Sequence, residues 1–231
     1  TLTGGISTVT GEKLVDVEAC PLENIREDFY KNVQRFVDEM AKAANGASRA
    51  ISTQRVPFLS CLMGGLENGI DARDIHKQGT KYNGSGCLIH GVSVIADSFA
   101  AIDKLLAERP QDSDKLVDAL KANFKGYEEL REFLLSADKF GNNIEKVDNE
   151  AAEIASKVAD IVAGEKNYLG NPFRPDFSSP STHLLYGYWV GATPDGRSSR
   201  DMLGYGVDPL YGSAENGLGF RMLSNMKLPF D

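Results

Sequence analysis

The residues able to do chemistry are few and scattered. His76, His90 and His183 are the only imidazoles, and they stand far apart in unlike contexts, so a metal triad is not expected. His90 lies in Cys87-Leu88-Ile89-His90-Gly91. An imidazole titrating near about 6.5 suits proton relay or contact with a polar ligand. The alternative for His90 is a buried, hydrogen-bonded structural histidine. Cys87 could line the same cavity, or fill the core as a small hydrophobe. Ser178, Ser179, Ser181 and His183 form a polar cluster that could face a ligand or satisfy loop backbone. Asp195 and Arg197 belong to the turn Gly191-Ala192-Thr193-Pro194-Asp195-Gly196-Arg197, in which Pro sets φ, Asp bonds local backbone and Gly accepts φ > 0. They are expected to pair within that structural loop, the alternative being that they hold it near a reactive centre.

Other chemistry is excluded by pattern. Cys20, Cys61 and Cys87 show no CxxC or other metal spacing, and an odd, unframed set fits a reducing cytosol. No GxxxxGK[ST] phosphate loop occurs. Tyr186, Tyr188 and Trp189 have no basic stripe beside them, so they read as core rather than a base-stacking platform.

The elements that must position these residues divide into two textures. Residues 21–45 are expected to form an amphipathic helix, with Leu22, Ile25, Phe29, Val33, Phe36, Val37 and Met40 on one face and Asn45-Gly46 as the stop. A short helix is expected over 58–68, ended by Asn68-Gly69. Glycine-rich 79–91 reads as short extended segments with a turn at Asn83-Gly84. Helices follow over 93–107, from Asp112 through Phe124, over 127–136 and over 145–164. From Tyr168 onward Pro, Gly and Ser rise, and β-like runs are expected near 182–190 and 218–223. Helices followed by isolated strands predict an α/β assembly whose strands pair with partners outside this stretch.

The composition is that of a globular protein: 231 residues, 42% hydrophobic and 25% charged. A net charge of −8 argues against nucleic-acid and anionic-membrane partners. No apolar run reaches the roughly 18 residues of a membrane span. The chain starts at Thr1 with no cleavable leader and reads as a piece of a longer polypeptide.

Several unusual strings occur in one order: Pro57-Phe58-Leu59-Ser60, Gly79-Thr80-Lys81-Tyr82-Asn83, Ala96-Asp97-Ser98-Phe99-Ala100-Ala101-Ile102, the run Ala119 to Glu128, Lys139-Phe140-Gly141-Asn142-Asn143, Ser181-Thr182-His183, the Gly191–Arg197 turn, and Lys227-Leu228-Pro229. This set resembles the glycyl radical enzymes of the pyruvate formate-lyase type, from about residue 20 onward. The resemblance implies part of a single ten-stranded α/β barrel wrapped by helices, spanning residues 1–231. It also implies a glycine that stores a radical and a cysteine that becomes a thiyl. Neither family motif matches here: Cys20, Cys61 and Cys87 do not fit the reactive cysteine, and Asp231 precedes any glycyl-radical string. The expected chain is therefore an internal fragment or split subunit, inactive alone, with no catalytic residue and no metal or cofactor of its own.

For the intact enzyme the resemblance implies radical C–C, C–O or C–N cleavage of a small organic substrate, of dehydratase, decarboxylase, lyase or formate acetyltransferase type. The radical would be installed by a separate S-adenosylmethionine iron–sulfur activase, in a cytoplasmic homodimer. His90, Cys87, Ser178 and His183 then become candidate substrate-binding residues, with Ser178 standing where some relatives carry a tyrosine near substrate. The alternative is a non-catalytic partner-binding or regulatory module derived from that fold.

Overall fold

The computed structural model describes residues 5–6, 13–15, 21–77, 84–177 and 181–229. The chain divides into two compact units, each assembled from discontinuous stretches. One comprises Thr1–Asn32, Leu88–Lys157 and Phe177–Asp231; the other comprises Val33–Cys87 and Val158–Asp176. Among the described residues, no helix is long and apolar enough to cross a membrane.

The first unit is built around α4 (Val92–Glu108). Apolar residues recur on it at helical spacing, and Val94, Phe99, Ile102 and Leu105 are all buried. A 3-10 turn (Pro110–Lys115) and α5 (Leu116–Lys121) follow, then α6 (Glu128–Leu135) and the start of α7 (Glu145–Gly164). Leu116, Leu134, Phe140, Val147 and Ile154 complete the core. The N-terminal end of α1 (Ile25–Ser52) joins this unit: Phe29 meets Phe99 edge-on, ring centroids 5.6 Å apart. Arg26 lies over the Phe99 ring and pairs with Asp103 at 3.0 Å and Glu150 at 2.8 Å. A short antiparallel pair, β1 (Gly5–Ile6) and β2 (Lys13–Val15), belongs to the same unit.

The second unit carries the rest of α1, then α2 (Pro57–Leu62), α3 (Gly65–Asn68), and a two-stranded sheet of β3 (Ser85–Leu88, all but its last residue in this unit) and β4 (Phe173–Asp176). Buried Ser60 links its parts, donating to the Val56 carbonyl at 2.8 Å and accepting from the Ala72 amide at 2.8 Å. Asn167 folds the turn before β4 by accepting from the Leu169 and Asn171 amides, and its amide group reaches Ser85 Oγ on β3 at 3.3 Å.

Three expectations are corrected. The helix expected to stop at Asn45-Gly46 runs on to Ser52. A mid-helix glycine costs only about 1 kcal/mol, and Asn45 uses its side chain elsewhere, donating to the Lys166 carbonyl at 3.0 Å. The expected helix over 58–68 is two helices, broken where Gly64 turns left-handed at φ 92°. The C-terminal β-like runs are helical: α8 (Thr182–Trp189) and α9 (Leu218–Asn225) replace the irregular strands expected there. An uninterrupted apolar run does not distinguish a strand from a helix. Helical bonds satisfy the backbone internally, with no neighbouring strand needed. β4 lies in a stretch where no regular element was expected.

Large apolar side chains remain outside on particular helices. Phe58, Leu62 and Leu66 on α2 and α3 are 80%, 70% and 74% exposed. Leu185 and Trp189 on α8, and Leu218, Met222 and Met226 on or beside α9, are also exposed.

Candidate functional site

The most densely bonded polar feature gathers three of the strings singled out in the sequence. The Thr193–Arg197 turn closes through the Gly196 amide to the Thr193 carbonyl at 3.0 Å and the Thr193 amide to the Arg197 carbonyl at 3.1 Å. Gly196 has φ 92°, and a methyl there would overlap Leu135. Asp195 is only 2% exposed and accepts from the Thr193 hydroxyl and the Arg197 amide.

Arg197 is 4% exposed, yet its guanidinium does not pair side chain to side chain with Asp195. It donates to backbone carbonyls instead: Ser198 at 3.0 Å, Asp201 at 2.7 Å, Val190 at 3.4 Å, and Gly191. The planar fork of arginine suits this arrangement, in which several donors leave one rigid group.

From α6, Arg131 donates to the Gly196 carbonyl and to Ser198 Oγ, both at 3.0 Å. Lys139 donates to the Asp195 carbonyl at 2.9 Å. The neighbouring Phe140 amide donates to Asp97 Oδ1 at 2.7 Å, and Asp97 is fully buried on the core face of α4. Burial pushes the Asp97 carboxyl up to about 8, against the pull of the Phe140 amide and Lys139. Burial also raises Asp195, against its bond from Thr193, and lowers Lys139.

Asn142 extends the cluster toward the C-terminal loop. It donates to the Ser213 carbonyl at 2.8 Å and accepts from the Glu215 and Asn216 amides. A cleft of about 750 Å³ borders Arg131, Lys139, Asn142, Asp195 and Arg197. Its cations already serve protein carbonyls, so the arrangement works as a clamp between α4, α6 and the two loops.

The roles of Asp97 and Lys139 were not assigned from sequence. The available signal was a charged residue in the middle of the apolar stripe Val94–Ile102, since a fully buried acid is rare unless partnered.

The candidate ligand residues separate. His90 Nε2 lies 3.4 Å from Thr182 Oγ1, and its ring centroid is 5.2 Å from that of Tyr186. Thr182 and Tyr186 are one helical turn apart on α8, so they share a face. His183 meets Tyr205 edge-on at 4.9 Å, and its Nδ1 is buried without a hydrogen-bond partner among the described residues. His183 borders a cleft of about 290 Å³ with Tyr205, Asp208, Tyr211 and Arg221, where Arg221 donates to Asp208 at 3.2 Å. Cys87 is a half-buried thiol on β3, pushed up by burial, and it belongs to the second unit while His90 belongs to the first. Ser178 and Ser179 lie outside the described residues, as does Cys20. Ser181 immediately precedes α8. Among the described residues, no group of three or more His, Cys, Asp or Glu side chains could hold a metal ion.

Residues 1–187 match the family described as pyruvate formate lyase-like. This chain belongs to that family of glycyl radical enzymes. Within the family it is 35% identical over 138 residues to the isethionate sulfite-lyase of Bilophila wadsworthia (strain 3_1_6), covering 58% of this chain and 16% of the lyase. It is similar to the glycerol-bound B12-independent glycerol dehydratase from Clostridium butyricum, at 32% identity and TM-score 0.83, over 92% of this chain and 27% of that one. A glycyl radical enzyme from Archaeoglobus fulgidus matches at 27% identity and TM-score 0.85, over 99% of this chain and 30% of that one. The chain thus spans between 16% and 30% of the length of these family members.

Proposed function

We propose that these 231 residues are one portion of the catalytic subunit of a glycyl radical enzyme of lyase or dehydratase type. The carrying observation is the match of 92% and 99% of the chain to solved dehydratase and glycyl radical enzyme structures. In this reading the chain contributes part of the wall and outer helices of a single ten-stranded barrel. The radical glycine and reactive cysteine lie in polypeptide outside this stretch. The apolar side chains exposed on α2, α3, α8 and α9 support that reading, because surfaces of this kind call for a covering partner.

When installed by an S-adenosylmethionine iron–sulfur activase, the glycyl radical would supply the bond-breaking chemistry, on a C–O, C–N or C–C bond of a small polar substrate. The residues of this chain bind and exclude water. His90, beside Thr182 and Tyr186, is a proposed contact for a substrate hydroxyl or carboxyl. His183 offers its buried Nδ1 beside Tyr205. Cys87 and Ser178 are proposed as separate candidate contacts to substrate, Ser178 lying outside the described residues. The clamp around Arg197 holds the chain that follows α8 in place. The assembled enzyme is proposed to be a cytoplasmic homodimer.

The test is anaerobic activation of the parent polypeptide with its activase, read by electron spin resonance. A glycyl doublet is expected, with turnover of one lyase or dehydratase substrate; a fully reduced, activated sample without the doublet refutes the reading. His90→Ala and His183→Ala should weaken substrate binding while leaving the doublet intact.

A further inference from the structure

Asp97 is the least expected charge in the molecule. It is fully buried, between Val94 and Ile102 on the core face of α4. Its Oδ1 accepts the Phe140 amide at 2.7 Å, while its Oδ2 is buried with no hydrogen-bond partner among the described residues. An ionised carboxylate with one bare, buried oxygen pays a large desolvation penalty, which a proton removes. The charged groups around it are Lys139, Asp195 and Asp148. Lys139 is engaged with the Asp195 and Leu134 carbonyls. Asp148, itself fully buried, is paired with Lys227 at 2.9 Å. Arg197 stands beside Asp195, and Lys104 and Asp138 act on Lys139. No ion pair among the described residues reaches Asp97.

We propose that Asp97 is a proton-dependent latch. In its neutral form it fastens the bend at Lys139–Phe140 to α4, and through Lys139 it steadies the Thr193–Arg197 turn. Loss of the proton strengthens the Phe140 amide bond itself but leaves a buried charge with one bare oxygen, and the opening that brings water to that charge releases both. This does not rest on the radical chemistry, since every group involved lies within this chain.

The direction follows from linkage. Folded Asp97 keeps its proton up to about pH 8, whereas the unfolded or opened chain releases it near about pH 4. Between those limits the closed state holds more protons, so its advantage is complete below the lower limit and drains away as pH rises to the upper one. Asp195, also raised by burial, acts with the same sign. Lys139, lowered by burial, acts with the opposite sign and at higher pH.

The test is amide hydrogen exchange at Phe140 and Gly196, whose amides donate to Asp97 and to the Thr193 carbonyl. After correction for intrinsic exchange, their opening constants should rise by up to about tenfold per pH unit between pH 5 and 7.5. Asp97→Asn keeps an oxygen for the Phe140 amide and carries no proton, so its slope should be clearly shallower, the remainder belonging to Asp195. Equal slopes in the two proteins overturn the latch. If the variant does not fold, carboxyl ¹³C titration of the unsubstituted protein decides: an Asp97 midpoint above about pH 6 supports the latch and one at or below it overturns it.

Discussion

Replacing Arg197 by Met keeps the buried apolar stem and removes only the guanidinium. Four backbone carbonyls lose a charged donor: those of Val190, Gly191, Ser198 and Asp201. Two keep a second donor, Val190 from the Arg200 amide and Ser198 from the Asp201 amide. The Gly191 and Asp201 carbonyls have no second donor among the described residues. At about 1–3 kcal/mol for each orphaned acceptor, the cost is about 2–6 kcal/mol. Gly191 and Asp201 lie at the surface, where water can replace part of the loss, which pulls the figure to the lower end. Asp195 pulls the other way: 2% exposed, it would lose its nearest cationic neighbour in the turn. The expected destabilisation is therefore about 2–4 kcal/mol, read as a lower guanidinium midpoint at unchanged m-value. Arg197→Lys should recover about half, because one ammonium cannot reach all the carbonyls that a planar fork does. A Met variant within about 0.5 kcal/mol of the parent would show that the guanidinium is not what holds the turn.

Other perturbations have equally definite outcomes. Gly196→Ala meets both a left-handed backbone and the Leu135 side chain, and should cost about 2–4 kcal/mol in equilibrium unfolding. Phe140→Ala empties a fully buried position and should cost about 3–5 kcal/mol, far more than truncating exposed Phe58. Against the burial that would raise it, Arg26 and Lys146 hold the Asp103 carboxyl below its usual range. That contribution is present at neutral pH and should fade as pH falls through the acidic range, a loss that Arg26→Met would reduce, leaving the part due to Lys146, in acid titrations of stability.

How much of this could be read beforehand depends on range. Helices α4 and α7 were legible because long apolar periodicity leaves one solution. α8 was not, because Leu184 to Val190 is apolar without a break and both secondary structures accept such a run. The helix expected over 58–68 gave no weight to Gly64, whose left-handed backbone marks the break between α2 and α3. The Thr-Pro-Asp-Gly turn was plain from local chemistry. Its partners were not, since Lys139 is 56 residues from Asp195 in sequence and Asp97 is 43 from Phe140. The ordered strings pointed to the family, but nothing in them said that three would meet around one buried acid.

The interleaved build of the two units has a consequence for synthesis. Val33–Cys87 cannot complete its own unit until Val158–Asp176 leaves the ribosome, after all of Leu88–Lys157 has been made. Early in translation the nascent segment must wait for the rest of its unit, and Phe58, Leu62 and Leu66 stay uncovered even once that unit is complete, in a crowded compartment. Its safe passage then depends on elongation speed and on chaperone occupancy as much as on the final energy of the fold.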